Sequence, residues 1–276
     1  MATVTLSFPD DMTNLDLNRM IRGNQDSGLL NGYTYKGTTY EDVFWVEWMY
    51  DYDSDGEMDV YQSAFAGYDI TQDSYGLTGG TVTAFLESYL AGEDYVSWWN
   101  DEYVDFIPYF TIEGVSVAAM DLWNAAKTSD TSDDYLVIAA MLNGDDQVTG
   151  STGSDNLQGY AGNDSFFASN GNDVINGGDG SDSYDLASLQ STDVSVEEVS
   201  GGYKVTSSYG SDSLYSIETL KFSDGSFSVT DLLPEQEEIK VEIISTLVTS
   251  GNDKITLSGS GETVDAGSGI DMVVYS

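Results

Sequence analysis

The chain has 276 residues, with 48 Asp and Glu against 8 Lys and Arg, a formal net charge of −40 at pH 7, and no His or Cys. No Lys or Arg lies between Thr128 and Tyr203, so the cation clusters that bind a phosphate backbone are missing; nucleic acid is excluded as a partner and an anionic membrane surface is disfavoured. The absence of Cys and His removes disulfides, Cys or His zinc sites, thiol nucleophiles and imidazole-dependent triads, and leaves two-carboxylate hydrolysis as the surviving acid–base chemistry.

The apolar content of 40%, with 12% aromatic, is enough to build a core, unlike that of a disordered acidic tail. Met1 to Arg22 has no basic n-region followed by an uninterrupted apolar run, and Asp10, Asp11 and Asp16 break it up, so a Sec-type signal peptide is not expected. No stretch reaches the roughly 18 apolar residues of a membrane span. A short helix is predicted from Asn14 to Arg22, stopped by Gly23. Val43 to Tyr50 and Met58 to Tyr68 read as strands, and Gly67 to Phe85 as a second hairpin turning around Ser74 to Gly80.

The turn between the first two strands, Asp51-Tyr52-Asp53-Ser54-Asp55-Gly56 with Asp59 at the ninth position, matches the start of an EF-hand loop. Gln62 replaces the bidentate Glu at the twelfth position and the flanks read as strands. Two readings stay open: a solvated acidic turn, or a second calcium loop using Asp51, Asp53, Asp55 and Asp59.

Asp101, Glu102 and Asp105 beside Trp98 and Trp99 give carboxylates that could act on or bind a glycan, against the reading of a solvated loop next to core tryptophans. Two helices are predicted next, Val117 to Lys127 capped by Ser116 and Asp133 to Leu142 capped by Ser132. All five Trp lie in the first 123 residues, whereas Gly, Asp, Ser and Asn dominate from Asn143 onward. A boundary is expected there.

Beyond it the chain becomes periodic. Gly-x-Asp occurs at Gly144/Asp146, Gly153/Asp155, Gly162/Asp164, Gly171/Asp173 and Gly180/Asp182, each pair nine residues after the last. Two positions past each Asp stands an apolar or aromatic residue: Val148, Leu157, Phe166, Ile175, Tyr184. Gly150, Gly159, Ala168 and Gly177 add a small residue ahead of the last four pairs. Glycines allow a tight turn whose carbonyls approach an ion, the Asp adds a carboxylate, and the apolar residue enters a narrow core from a strand too short to stand alone.

Successive units fall on opposite sides of a flattened coil, so one full turn takes eighteen residues. Asp146, Asp164 and Asp182 then form one ladder, Asp155 and Asp173 the other, with calcium expected between units i and i+2. Gly251/Asp253 with Ile255 and Gly269/Asp271 with Val273 repeat the unit eighteen residues apart near the end of the chain. That block stops in mid-register at Ser276, which reads as a shortened chain or a roll that continues.

These units resemble the RTX calcium-binding repeat, the GGxGxDxUx nonapeptide. The resemblance implies a parallel β-roll in which Ca2+ bridges neighbouring turns through Asp carboxylates and backbone carbonyls, and export by a type I machine. It makes Asp146, Asp155, Asp164, Asp173, Asp182, Asp253 and Asp271 side-chain ligands, with Gly150, Gly153, Gly159, Gly162, Gly171, Gly177 and Gly180 shaping the loops. The first unit has Met141 and Leu142 in place of glycines and is expected to be incomplete or a cap.

Between the blocks, Val194 to Val229 reads as antiparallel strands turning at Gly201-Gly202 and Gly210-Ser211. It closes with Ile217 to Gly225, a phrase that resembles the cap following many RTX blocks. The expected organisation is thus a mainly β chain: an N-terminal β-rich α+β domain with a few short helices (1–143), a β-roll (144–186), an antiparallel cap (187–235) and the start of a second roll (236–276).

The expected function is that of a secreted calcium-binding protein with a structural or adhesive role at the bacterial cell surface, of surface-layer, matrix or adhesin type. Self-association or a surface glycan is its expected partner, and no catalytic residue is assigned. The alternative is a secreted enzyme or carbohydrate-binding protein active in residues 1–143; lipases and metalloproteases of the RTX kind are disfavoured because no His exists.

Overall fold

The computed structural model describes residues 1–7, 12, 15–22, 24–50, 59–90, 106–234, 254–257 and 272–275. It falls into two compact units, Met1–Pro234 and Glu235–Ser276. The fold is mainly β.

The first unit begins with β1 (Thr3–Leu6) and α1 (Asn18–Arg22), followed by the long strands β2 (Asn24–Tyr35), β3 (Thr38–Tyr50), β4 (Asp59–Asp73), β5 (Gly76–Leu90) and β6 (Phe106–Ala118). β2 through β6 form an antiparallel meander, and β1 adds to the far edge of β6. The two hairpins read from sequence lie within β3, β4 and β5.

Alternation along β3 directs Phe44, Val46 and Trp48 to one face. In register with them, Phe44 stands opposite Phe65 and Phe65 opposite Phe85, with ring centroids 6.2 and 5.3 Å apart, and Phe110 extends the row at 6.3 Å from Phe85. That face packs under α2 (Ala119–Ala126) through Leu122 and Trp123, whose ring meets Phe44 edge-on at 5.5 Å. The opposite face holds a smaller cluster of Tyr40, Val43, Ala64, Ala66, Ala84 and Leu86.

Helix starts differ from the sequence expectation. Residues 116–118 stay in β6 because Val117 and Ala118 pair with Val82 and Thr81, so α2 starts at Ala119 and Ser116 caps nothing; its N-cap, Ala118, makes no side-chain bond. α3 (Thr131–Met141) is capped by Asp130, whose carboxylate accepts from the Ser132 amide at 3.0 Å. α1 begins at Asn18 rather than Asn14, its first amide bonded to Asp16 at 2.9 Å.

Asp134 on α3 is fully buried and ties down this N-terminal segment: its Oδ2 accepts from the Leu17 amide and from Asn18 Nδ2, both at 3.1 Å. Its Oδ1 and that of Asn18 have no donor. Burial foremost, with the charges of Asp133 and Asp16 behind it, pushes Asp134 up to about 6 against the Leu17 bond and Arg22. A folded value above the ordinary 3.8 favours the folded state at low pH, and that contribution is lost as pH rises through about 6. Asp134→Asn is therefore expected to be more stable than the parent chain at pH 8, by on the order of 1–2 kcal/mol, with no such gain at pH 4. Thermal unfolding of both proteins across that range checks this; parallel profiles would contradict it.

From Asn143 onward the backbone coils. β7 (Gln147–Thr149), β9 (Ser165–Phe167) and β11 (Ser183–Leu186) stack in parallel on one side, and β8 (Asn156–Gln158) and β10 (Val174–Asn176) on the other. Each parallel partner is eighteen residues away. Val148, Phe166 and Tyr184 make one buried file, Leu157 and Ile175 the second, and both enter the main core. The eighteen-residue turn and the two files expected from sequence are what the backbone forms.

The next segment adds β12 (Ser195–Val199), β13 (Gly202–Thr206), β14 (Ser211–Tyr215), β15 (Thr219–Phe222) and β16 (Gly225–Ser228). β12–β13–β14 and β15–β16 are antiparallel, as expected; in addition β14 pairs in parallel with β10 and β15 with β11, which prolongs the roll by a turn.

β1 also pairs in parallel with β7, Val4 opposite Val148. The antiparallel meander and one side of the roll are thereby a single eleven-stranded sheet, running β16-β15-β11-β9-β7-β1-β6-β5-β4-β3-β2. In the second unit, β17 (Lys254–Leu257) and β18 (Met272–Tyr275) pair in parallel with Ile255 opposite Val273, again eighteen residues apart.

Candidate metal centre

Each nonapeptide places its Asp at the end of the loop that feeds a roll strand, and all five carboxylates are buried among the turns. They form two seams. In the first, the Asp146 amide donates to Asp164 Oδ1 at 2.8 Å and the Asp164 amide to Asp182 Oδ1 at 2.7 Å. In the second, the Asp155 amide donates to Asp173 Oδ1 at 3.0 Å.

Both seams continue into residues that the nine-residue grid does not contain. Asp173 donates its amide to Asp212 Oδ1 at 3.0 Å, and Asp182 donates to Glu218 Oε2 at 2.7 Å. Asp212 was detectable: Gly210-Ser211-Asp212-Ser213-Leu214 repeats the Gly-x-Asp-x-apolar unit, displaced from its register by the β12–β13 hairpin. At the other end the Ala2 amide donates to Asp146 Oδ1, the bond an Asp amide makes elsewhere in the seam. Main-chain β1 thus stands where a preceding roll turn would.

The remaining carboxylate oxygens separate the seams. Asp146, Asp164 and Asp182 each bury an Oδ2 with no hydrogen-bond donor. Beside Asp164 and Asp182 a glycine stands next to that oxygen, whereas the first unit has Met141 at the matching position. A Cβ built on Gly159 would lie 2.3 Å from Asp164 Oδ2 and 2.5 Å from the Gly177 carbonyl oxygen. One built on Gly177 would lie 2.3 Å from Asp182 Oδ2 and 2.1 Å from the Ser216 carbonyl oxygen. A carboxylate oxygen and a carbonyl oxygen from the next turn therefore converge on one small space, a donor set of hard oxygens suited to Ca2+.

In the second seam hydroxyls fill that role. Ser151 donates from its amide at 2.7 Å and its Oγ at 3.0 Å to Asp155 Oδ2, Ser169 Oγ donates to Asp173 Oδ2 at 3.1 Å, and Tyr184 OH to Asp212 Oδ2 at 2.8 Å.

Charge accumulates unfavourably in both. Burial first, then the charges of Asp182, Asp146 and Asp145, pushes Asp164 up to about 7 against the bond from the Asp146 amide. Asp173 is pushed up to about 6, again by burial first and then by Asp212 and Asp155, against bonds from the Asp155 amide and Ser169. Burial likewise raises Asp146, Asp182 and Asp212. A cation among these oxygens would relieve what protonation otherwise relieves. Among the described residues no three carboxylates converge on a single point, so a cation here would need further oxygen donors such as the backbone carbonyls beside Asp164 and Asp182.

The loop glycines are close-packed. A Cβ on Gly180, whose φ is +142°, would sit 1.7 Å from the Gly162 carbonyl oxygen, and one on Gly162 would sit 2.1 Å from that of Gly144. Gly171 meets Gly153 in the same way in the second seam. Of the second candidate loop, Asp59 lies exposed at the start of β4, while Asp51, Asp53 and Asp55 fall outside the described residues. So do Asp253, Asp271, Trp98, Trp99, Asp101, Glu102 and Asp105.

Comparison with known families agrees with this geometry. The family model of the RTX calcium-binding nonapeptide repeat, in four copies, matches residues 142–175, 149–184 and 248–273. These segments are RTX calcium-binding nonapeptide repeats. The two blocks account for the roll strands and for β17 and β18, while residues 1–141 lie outside the match. No curated protein matches the chain. Among solved structures, the extracellular lipase LipA from Serratia marcescens aligns over 48% of this chain and 23% of its own length, at 17% identity and a TM-score of 0.28. A superposition that loose fixes neither fold nor activity. No described helix is long and apolar enough to cross a membrane.

Proposed function

We propose that this is a secreted structural or adhesive protein of the bacterial cell surface, whose RTX blocks fold on meeting extracellular calcium after export by a type I machine. Asp146, Asp164 and Asp182 would hold Ca2+ through their free Oδ2 atoms, helped by carbonyls such as those of Gly177 and Ser216. Asp253 and Asp271 take the same part in the second block. At calcium about a hundred times the dissociation constant, each site adds about 2.7 kcal/mol to the folded state.

One observation carries the structural reading: the RTX roll and the N-terminal meander share a single sheet through β1. Calcium in the roll would then stiffen one end of an eleven-stranded sheet rather than a tethered appendage. The surplus of negative charge suits a calcium-rich exterior, in which the cation neutralises the surface and allows copies, or a copy and a cell-surface glycan, to approach. Light scattering and electron microscopy of the purified chain test this reading. Filaments or sheets are expected in millimolar calcium and their dispersal in EDTA; a strictly monomeric protein in both would contradict it.

A further inference from the structure

We infer that the RTX roll of this chain is calcium-dependent along one seam only, the second being closed by its own hydroxyl groups. This rests on the reading that the roll binds calcium.

The seams have the same main-chain scaffold. In each, the Asp amide of one turn donates to Oδ1 of the Asp of the next, at 2.7–2.8 Å in the first seam and 3.0 Å in the second. They differ at the second oxygen. Asp146, Asp164 and Asp182 are each at most 4% exposed and each leaves Oδ2 without a donor. A buried carboxylate oxygen in that state costs free energy unless something positive meets it. Asp155, Asp173 and Asp212 are buried as deeply, yet their Oδ2 atoms accept from Ser151, Ser169 and Tyr184. A cation entering there would compete with a bond already made and would have to displace the hydroxyl.

The sequence explains the difference. In the first seam, four residues before Asp164 and Asp182 stand Tyr160 and Gly178, both at positive φ, +65° and +94°, while before Asp146 stands Leu142 at −105°, which has no hydroxyl to offer. The second has Ser151 and Ser169 at that position, and neither adopts positive φ. The left-handed loops send no side-chain hydroxyl to the carboxylate, and the Tyr160 carbonyl accepts instead from the Asp179 amide of the neighbouring turn at 2.9 Å. The serine loops keep the ordinary turn and instead send a side-chain hydroxyl to the carboxylate, a local bond that Ser favours. Serine at this point therefore trades a calcium loop for a hydrogen-bonded loop. Asp155 and Asp173, expected from the repeat to be ligands, become hydrogen-bond acceptors that lock the turns.

Calorimetric titration of the EDTA-stripped full chain with Ca2+ tests the inference, comparing Asp164→Asn with Asp173→Asn. Asn at 173 can still accept from the Asp155 amide and bond Ser169, whereas Asn at 164 puts an amide nitrogen where the free oxygen stood. Asp164→Asn is expected to lower the calcium stoichiometry by at least one ion per chain and Asp173→Asn to leave it unchanged. Equal losses in the two variants would overturn the asymmetry while leaving the calcium reading intact; no calcium uptake by the unaltered chain would overturn the calcium reading itself. The double variant Ser151→Ala/Ser169→Ala retains every carboxylate. Its unfolding midpoint in EDTA, where no cation can replace the lost bonds, is expected to fall by several degrees, and an unchanged midpoint would contradict the role given to the hydroxyls.

Discussion

Asp164→Ala is expected to abolish most of the calcium-induced stabilisation of the roll while changing little in chelator. Asp164 is the middle rung of the first seam. Its Oδ1 receives the Asp146 amide, its own amide reaches Asp182 Oδ1, and its Oδ2 faces the Gly177 carbonyl without a donor. A cation site on either side would lose its carboxylate, and with two sites at about 2.7 kcal/mol each the loss approaches about 5 kcal/mol in calcium.

Without the ion two effects oppose each other. Burial pushes Asp164 up to about 7, so at pH 8 its charged form is a liability in the empty roll, and truncation removes that liability together with the hydrogen bond it accepts. Urea unfolding of both proteins, in millimolar calcium and in EDTA, separates the terms. A loss of the same size in both conditions would show that Asp164 acts only as a hydrogen-bond acceptor.

Val4→Asp is expected to disrupt the meander and the roll together. Val4 is fully buried, opposite Ile112 on β6 and Val148 on β7. It heads the file that continues through Val148, Phe166, Tyr184 and Leu220. An unpaired carboxylate there is desolvated without a partner and should cost more than about 4 kcal/mol, whereas Val4→Ala, which only leaves a cavity, should cost about 2 kcal/mol. Near-UV CD follows the aromatic row of β3 to β6, and calcium uptake follows the roll. Loss of both signals is expected; loss of the aromatic signal alone, with calcium uptake intact, would mean that β1 does not join the two parts.

The roll was legible in the sequence because each turn encodes itself. The loop glycine, the Asp and the apolar residue recur every nine positions, and the coil brings Asp146 to Asp164 and Val148 to Phe166 without reference to distant chain. The strands β3, β4 and β5 were legible for a similar reason, their alternation being local.

What stayed hidden depends on remote partners. Thr3–Leu6 is only four residues long, and its partners on β6 and β7 lie more than a hundred residues further on. Glu218 has no part in the repeat and meets Asp182 from thirty-six residues away, and Asp212, although it repeats the unit, stands off the nine-residue register. β2 is the edge of the sheet, and its apolar residues Leu29, Leu30, Tyr33 and Tyr35 do not alternate strictly with polar ones, so periodicity had little to report. The serine substitutions at 151 and 169 were visible as letters, but their meaning required knowing which oxygen each hydroxyl reaches.

The central claim is that calcium, held along the Asp146–Asp164–Asp182 seam, folds the roll. Amide hydrogen exchange of the full chain in millimolar calcium and in EDTA tests it most directly. The amides of Ser165, Ser183 and Gly162, which bond across turns to Asp146, Asp164 and Asp179, are expected to be protected in calcium and to exchange rapidly in EDTA. Equal protection in the two conditions would contradict the claim.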